Sequence, residues 1–340
     1  IQLEFCRYKL SVRVCYTGDM FKRLRNLFAH MSRPPLVVVA GPTASGKSSL
    51  AVELGLELSR AGKSIEIISA DSRQVYREIP IFSGAIAAEE QEHIVHHLLG
   101  TESVAEARTA GWFRQEAGRL IRDIYQRGAI PVLVGGSGFW IQSVVCDEEY
   151  PQVEPNPALR AKLESYTTAQ LQAELARLDS RRSEEVDPNN RRRLIRSIEI
   201  ATQLGWVPPV QPKPKSEWDL QIIYCNYPKE VNDERIRDNV ISRIEAGMIE
   251  EAKQVRDTVS PERFEELGLA YKHLEEYWNN EIDKDELVER IVREEVQYAK
   301  RQRTFFDKMF SRLPAKVYTI RSRSERSDAL GWILGHYLHS

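Results

Sequence analysis

LVVVAGPTASGKSSL, residues 36–50, is the stretch that decides the fold. An apolar run leads into a glycine-rich loop, and the loop leads into apolar positions spaced as in a helix. The loop, Gly41-Pro-Thr-Ala-Ser-Gly-Lys-Ser48, matches the pattern G-x-x-x-x-G-K-[ST] in the setting that the pattern requires, between a strand and a helix. Backbone N–H groups of such a loop and the following helix N-terminus attract phosphate oxygens. The stretch therefore predicts a phosphate-binding loop.

The residues of this loop have distinct predicted roles. Its backbone holds the phosphates, the Lys47 ammonium supplies a point charge, and the Ser48 hydroxyl is expected to ligate Mg²⁺. The predicted phosphate-binding residues are Gly41, Pro42, Thr43, Ala44, Ser45, Gly46, Lys47 and Ser48. The loop leaves the reaction open, because a nucleotide kinase, an NTPase motor and a diphosphate-releasing transferase can all use one. In an NTPase an acidic residue follows a later strand of the sheet, but here the predicted strand 130–134 is followed by Gly135. An acidic residue instead follows residues 65–70, at Asp71.

Outward from the loop, apolar runs alternate with helical patterns. The predicted strands are residues 36–40, 65–70, 130–134 and 220–224, and the predicted helices of this part are 48–59 and 112–127. Buried strands that alternate with helices indicate a parallel sheet covered on both faces. Between residues 151 and 214 the strand signals vanish and leucines recur at helical spacing, as at Leu171, Leu175 and Leu178. Long helices follow over 233–255 and 284–310.

We therefore predict an α/β fold: a P-loop NTPase-like parallel sheet core with an inserted all-helical subdomain and C-terminal helices. Residues 1–30 are interpreted as an N-terminal extension that is either disordered or not native. The predicted divisions after it are the first part of the core (31–150), a helical insertion (151–215), the core completion with C-terminal helices (216–325) and a C-terminal tail (326–340).

Composition excludes several classes of protein. With 48 Lys and Arg against 50 Asp and Glu in 340 residues, the formal net charge of −2 excludes a polycationic nucleic-acid wrapper, so any polyanion must be held locally. The longest apolar run, residues 36–40, is far shorter than the roughly 18 to 20 residues of a membrane span. Four scattered cysteines favour a reducing cytoplasm over a disulfide framework.

Further motifs carry a family resemblance. Beyond the loop, the chain contains SADSRQVYR at 69–77, HHL at 96–98, VGGSG at 134–138, NRRRLIRSIE at 190–199 and YAKRQRTF at 298–305. Taken together these motifs resemble the tRNA dimethylallyltransferases over residues 36–310. The resemblance implies transfer of a dimethylallyl group from dimethylallyl diphosphate to N6 of adenosine 37, beside the anticodon, with release of diphosphate. It further implies Mg²⁺ as cofactor, the tRNA anticodon stem-loop as partner, a bacterial-type enzyme and no membrane association; we expect a monomer.

The resemblance also assigns roles to residues. Asp71 is the expected base that takes the proton from the adenine amine, Thr43 and Lys47 act at the diphosphate, and Arg235 retains a basic position of the family. The residues expected to contact tRNA are Asp71, Ser72, Arg73, Gln74, Ser137, Arg160, Arg192, Arg193, Arg196, Lys300, Arg301 and Gln302.

Two departures from the family pattern keep other interpretations open. Residues 81–86 read IFSGAI where a Gly-Thr-x-Lys segment is usual, and Asn239 stands where an arginine is expected, so that Arg235 or Arg243 must replace it. The alternatives are a degenerate tRNA-binding protein without activity and a P-loop small-molecule kinase. Phe139 and Trp140 either stack on a base or belong to the core. His96 and His97 are interpreted as structural or substrate-adjacent residues rather than metal ligands.

Overall fold

The structure, a computed structural model, describes residues 34–147, 151, 153–209, 213–214, 218–268, 270–313 and 315–338. The predicted N-terminal extension, residues 1–30, lies outside this part of the chain. Two compact units are present, one formed by the residues up to 146 and from 214 onward, the other by residues 147–213. In the described ranges no helix is both long enough and apolar enough to cross a membrane.

A six-stranded parallel sheet is the centre of the first unit. Its strands in chain order are β1 (Pro35–Ala40), β2 (Ile65–Ser69), β3 (Val95–His97), β4 (Ile130–Gly135), β5 (Asp219–Cys225) and β6 (Lys316–Ile320). They are arranged in the order β3-β2-β4-β1-β5-β6, and every neighbouring pair is parallel. Two short strands, Cys146–Asp147 and Lys213–Pro214, form a separate sheet. The predicted α/β class and parallel core are confirmed.

The helices complete the elements of both units. They are α1 (Lys47–Arg60), α2 (Pro80–Ser83), α3 (Ala110–Gln126), α4 (Gly138–Val145), α5 (Pro157–Glu164), α6 (Thr168–Leu178), α7 (Ser180–Glu185), α8 (Arg191–Leu204), α9 (Lys229–Glu245), α10 (Met248–Arg256), α11 (Pro261–Leu267), α12 (Tyr271–Trp278), α13 (Lys284–Phe310) and α14 (Arg323–Leu338). A 3-10 turn covers Ala88–Gln91.

The alternation of side chains along β1 explains why helices cover both faces of the sheet. Val37 and Val39 point to one apolar core, which α1 and α14 cover, whereas Leu36 and Val38 belong to the core on the opposite face. Successive side chains of a strand point to opposite faces, so an all-apolar strand needs helices on both. The apolar run of residues 36–40 thus encodes the central position of β1.

Two C-terminal elements differ from the prediction. The single helix expected over 233–255 is two helices, α9 and α10, because Gly247 between them adopts a φ of +101°, a left-handed conformation that interrupts a helix. The tail expected over 326–340 is instead largely helical. In α14 Ala329, Leu330 and Ile333 share one buried face, and this spacing was masked by the surrounding serines, arginines and glycines.

The second unit has its own small core, in which α5 to α8 enclose Leu163, Leu171, Leu175, Leu194 and Ile198. Side chains cap all four helices at their N-termini, and each accepts a hydrogen bond from one otherwise unpaired N–H group of the first turn. The helical character predicted for this stretch therefore follows from leucine spacing and caps alone.

A buried carboxylate organises the charges of this unit. Glu199 accepts hydrogen bonds from Asn156 N (2.9 Å), from the Arg160 guanidinium (2.8 and 2.7 Å) and from Arg196 Nη1 (3.2 Å). Burial alone raises the pKa of Glu199, but these donors outweigh burial and hold its pKa below the usual value. The stability that Glu199 contributes is therefore present above its unfolded-state pKa and is lost as the pH falls through the lowered folded-state value.

We predict that Glu199→Ala lowers the free energy of unfolding by about 2 to 4 kcal/mol, because it leaves several donors without their partner. The matched control is Glu174→Ala, which removes an exposed pair with Arg177 and is expected to change stability by less than about 1 kcal/mol. Urea denaturation at neutral pH compares the two variants. Equal stability of the two would contradict the assigned role of Glu199.

Candidate active site

The phosphate-binding loop is shaped by glycine at two positions. Gly46 precedes α1 with a φ of +75°, and a Cβ added at Gly41 would lie 2.5 Å from the carbonyl oxygen of Cys225. No side chain caps α1, and its first turn contains no acidic residue. The first N–H groups of the helix are thus available for an anion, as the sequence pattern predicts.

Lys47 is the cation of this loop, and its side chain is partly buried. Its Nζ donates a hydrogen bond to the carbonyl of Pro42 at 2.6 Å. Burial lowers the pKa of the Lys47 ammonium, and the nearby Asp71 and Cys225 oppose that shift without reversing it. An anion bound beside Lys47 would favour its charged form.

Asp71 directly follows β2 and is fixed by its own turn. Its Oδ1 accepts hydrogen bonds from the backbone N–H groups of Arg73 (2.9 Å) and Gln74 (3.4 Å). This is the turn geometry typical of aspartate after a strand, so part of the residue's role is structural. No hydrogen bond to its other oxygen, Oδ2, occurs among the described residues. One oxygen thus orients the carboxylate, and the second is left for chemistry.

Lys47 and Asp71 line the same cavity, which has a volume of about 540 Å³. Other walls come from the phosphate-binding loop and α1 (Thr43, Ala44, Gly46, Ser48, Ser49), the segment after Asp71 (Ser72, Arg73, Gln74) and α13 (Ile291, Glu295, Tyr298, Gln302). Burial and the Asp71 charge raise the pKa of the Tyr298 phenol to about 12, so this hydroxyl stays protonated at neutral pH. The cavity combines an anion site with a carboxylate.

Gln302 connects the elements around the cavity. Its Oε1 accepts a hydrogen bond from Thr43 N at 2.8 Å, and its Nε2 donates one to the carbonyl of Gly136 at 2.9 Å. The residue is 6% exposed. Sequence analysis predicts a tRNA contact here, but both ends of the amide are engaged by the protein itself. Gln302 holds the phosphate-binding loop against the segment after β4.

The remaining predicted residues near Asp71 are tied to one another. Ser137 Oγ accepts a hydrogen bond from Ser72 N at 2.9 Å, and Gln74 Nε2 donates one to the carbonyl of Gly84 at 3.0 Å. Burial lowers the pKa of the Arg73 guanidinium, and the nearby Tyr298 and Asp71 oppose that shift. The structure thus brings residues 71–74 to the cavity, with Ser137 as their anchor.

Of the two arginines considered for the position of Asn239, Arg243 reaches the cavity and Arg235 does not. Arg243 lines the cavity, donates a hydrogen bond to the carbonyl of Phe82 at 2.7 Å and forms an ion pair with Glu295. Arg235 instead lies over the ring of Tyr227, 4.3 Å from its centroid, and is absent from the described cavity lining. The prediction of a catalytic Arg235 therefore lacks geometric support, because its side chain stacks outside the cavity.

The segment that departs from the family pattern forms part of the cavity wall. Residues 82–86 all line it, and the Glu251 carboxylate holds this segment by accepting hydrogen bonds from Ile81 N (3.0 Å) and Phe82 N (2.7 Å). Glu295 and Tyr298 also line the cavity, although neither is among the residues predicted for the site. Their spacing with Ile291 and Gln302 on α13 places all four on one helical face, and this is the signal that could have found them.

The predicted basic contacts fall into two groups. Arg160 and Arg196 are committed to Glu199, as described above. Arg192 and Arg193 are exposed at the start of α8, and in the described part of the chain neither side chain has an ion-pair partner. On α13, Lys300 and Arg301 are exposed, and Arg301 lies over the ring of Tyr298 at 5.7 Å. The second group remains available for a polyanion.

The adjacent histidines have structural partners. His97 Nε2 lies 2.6 Å from Glu66 Oε2, and His96 Nδ1 lies 2.8 Å from the carbonyl oxygen of Ile94. Within the described ranges there is no cluster of three or more His, Cys, Asp or Glu residues able to hold a metal ion.

A parallel sheet with a glycine-rich phosphate-binding loop after β1 defines a P-loop NTPase-like α/β protein. The profile of the family described as IPP transferase matches residues 74–309. The chain is 34% identical over 289 residues to a tRNA dimethylallyltransferase of Exiguobacterium sp., with 82% of this chain and 89% of that protein covered. It is 37% identical over 275 residues to tRNA dimethylallyltransferase 2 of Shewanella sediminis, with 80% and 88% covered.

A solved structure agrees with these relatives. The full-length tRNA isopentenylpyrophosphate transferase of Bacillus halodurans superposes with a TM-score of 0.62 at 28% identity, covering 90% of this chain and 97% of that one. This chain belongs to the IPP transferase family. The resemblance predicted from the sequence motifs is confirmed.

We predict that Gln302→Leu weakens inorganic diphosphate binding about tenfold and lowers the free energy of unfolding by about 1 to 3 kcal/mol, because Thr43 N and the Gly136 carbonyl lose their partner. Gln297→Leu on the same helix is the control, since Gln297 is exposed and its loss should leave both quantities unchanged. Calorimetric titration and urea denaturation provide the two readouts. Diphosphate affinity equal to that of the wild type would contradict the proposed role of Gln302.

Proposed function

We propose that this protein transfers a dimethylallyl group from dimethylallyl diphosphate to N6 of adenosine 37 in tRNA and releases diphosphate. One observation carries the proposal: an anion-binding loop with Lys47 and the carboxylate of Asp71 line one cavity. Relatives at 34% and 37% identity are named tRNA dimethylallyltransferases, and this supports both the acceptor and the transferred group.

The phosphate-binding loop acts on the leaving group. In the reaction, the bond between the allylic carbon and the bridging oxygen breaks, and both of its electrons leave with diphosphate. The Lys47 ammonium and the N–H groups at the start of α1 stabilise the negative charge that develops there.

Asp71 acts on the nucleophile. The N6 amine attacks the allylic carbon, a C–N bond forms, and the proton on N6 passes to the Asp71 carboxylate. Its Oδ1 is held by two backbone N–H groups, so the carboxylate is oriented before the substrate arrives. A well-placed general base accelerates such a step by about 10² to 10⁴.

The acceptor must leave its base stack before it reaches Asp71. A base in a single-stranded loop can be extruded for a few kcal/mol or less, and this favours the anticodon loop as target. The segment from Ser72 to Gln74 and the Tyr298 ring form the walls against which the extruded purine would fit.

Mg²⁺ fits the donors that are present. Ser48 lines the cavity beside the phosphate-binding loop, and the hydroxyl at this position of such loops is a known Mg²⁺ ligand. When bound, the ion would neutralise part of the diphosphate charge. We propose Ser48 as its protein ligand.

The alternative functions make different predictions. A small-molecule kinase is disfavoured by the family membership and would transfer a labelled γ-phosphate. A degenerate tRNA-binding protein would bind the anticodon stem-loop without consuming dimethylallyl diphosphate. Arg243 in the cavity wall, where the usual arginine is replaced by Asn239, favours a working enzyme over that alternative.

We predict that Asp71→Asn reduces kcat for tRNA prenylation by about 10² to 10⁴ while tRNA binding persists, because the amide oxygen can still accept the hydrogen bonds from Arg73 N and Gln74 N but the proton acceptor is lost. Lys47→Met is expected to reduce kcat by about 10² to 10³ through lost charge stabilisation. Incorporation of labelled dimethylallyl groups into tRNA measures both effects. Lys63→Met, at an exposed lysine just after α1, is the control and should retain full activity. A wild-type protein that folds but never modifies tRNA would refute the proposal.

We predict that Arg192→Ala and Arg193→Ala each weaken tRNA binding and reduce the magnitude of its log–log salt dependence by about 0.7 to 0.9, the value for one phosphate contact. Arg177→Ala is the control, since Arg177 is an exposed arginine of the same unit that is already paired with Glu174. Binding isotherms at several salt concentrations give the slopes. Unchanged slopes for both variants would exclude phosphate contacts at these positions.

A further inference from the structure

Phe139 and Phe305 form an aromatic pair at the surface of the first unit. The Phe139 side chain is 48% exposed, and its ring centroid lies 4.9 Å from that of Phe305 at an interplanar angle of 48°. The neighbouring Trp140 is only 4% exposed and stacks on Phe113 at 4.4 Å. The two residues that sequence analysis considered together are therefore different: Trp140 belongs to the core, and Phe139 does not.

The backbone places this pair beside the cavity. Phe139 follows Ser137 by two residues, Ser137 Oγ bonds to Ser72 N at 2.9 Å, and Ser72 follows Asp71. With at most about 3.6 Å per residue, these steps keep the Cα of Phe139 within about 15 Å of that of Asp71. Phe305 rests directly on this turn, because a Cβ added at Gly138 would lie 2.3 Å from its ring.

Positive charge lies next to the same aromatic pair. Arg301 is exposed one helical turn before Phe305 on α13, so the two share a helical face. The Arg301 guanidinium lies over the Tyr298 ring, and Tyr298 lines the cavity. Lys300 is exposed beside it. An open aromatic surface with adjacent cations is the combination that proteins use to hold unpaired nucleotides.

We propose that Phe139, supported by Phe305, is a stacking platform for the unpaired base next to the target adenosine in the tRNA loop. The proposal rests on the proposed function and adds a binding site to it. Extrusion of the adenosine removes a stacking partner from its neighbour in the loop, and the exposed ring of Phe139 replaces that partner. Arg301 contacts the adjacent phosphate.

The test uses the full-length protein and an anticodon stem-loop RNA with 2-aminopurine, a fluorescent base quenched by stacking, next to the target adenosine. Phe139→Ala is expected to raise the Kd for this RNA about 5- to 150-fold, the equivalent of about 1 to 3 kcal/mol per stacked base, and to relieve quenching in the saturated complex. Phe139→Tyr retains the wild-type Kd within about twofold. Phe139→Leu behaves like Phe139→Ala, because leucine is apolar but offers no π-face.

Tyr125→Ala is the matched control. Tyr125 is 43% exposed near the end of α3. Because α3 leads into the start of β4, Tyr125 lies near the amino ends of the strands, whereas the cavity lies at their carboxyl ends. The Kd of the Tyr125→Ala variant for the RNA should equal that of the wild type. The affinity for inorganic diphosphate should be unchanged in every variant.

Three outcomes overturn the platform. Phe139→Ala binding as tightly as the wild type excludes contact, and Phe139→Leu binding as tightly excludes stacking. If the wild type modifies tRNA and either result is found, only the platform fails. A wild type that neither binds nor modifies the RNA contradicts the proposed function together with the platform.

Discussion

The close approach of three strand ends is the constraint on which the site depends. Asp71 follows β2 and the phosphate-binding loop follows β1, but β4 lies between these strands in the sheet. The end of β4 carries Gly135 and Gly136. A Cβ at Gly135 would lie 2.0 Å from the carbonyl oxygen of Ala70, and one at Gly136 would lie 2.6 Å from Gln302 Nε2. Without these glycines, a carboxylate and an anion site on non-adjacent strands would be separated by side chains.

The same arrangement accounts for the electrostatics of the site. Burial lowers the pKa of Lys47, and Asp71 is near enough to oppose that shift, so a cation and an anion share one cavity. Gln302 accepts a hydrogen bond from Thr43 N in the phosphate-binding loop and donates one to the Gly136 carbonyl after β4. It thereby holds the loop that carries Lys47 against the turn that ends at Ser137.

Much of this organisation could be predicted from local sequence. The phosphate-binding loop, α1, β4 and the whole of α13 follow from apolar spacing and from the glycine pattern, because their signals lie within each element. The short β3, with only Val95, His96 and His97, and the exposed-edge strand β6 lack such a signal. Contacts between residues that are far apart in sequence could not be predicted either. That Arg243 rather than Arg235 reaches the cavity, and that Arg160 and Arg196 share Glu199, depends on which helices meet in space.

The most direct test of the account is a crystal structure with an anticodon stem-loop RNA and a non-reactive thiodiphosphate analogue of dimethylallyl diphosphate. We expect diphosphate oxygens at Lys47 and the first N–H groups of α1, and the adenine N6 within about 3 Å of an Asp71 carboxylate oxygen, a distance suited to proton transfer. An adenine bound elsewhere, or an Asp71 carboxylate turned away from an analogue held at Lys47, would contradict the account.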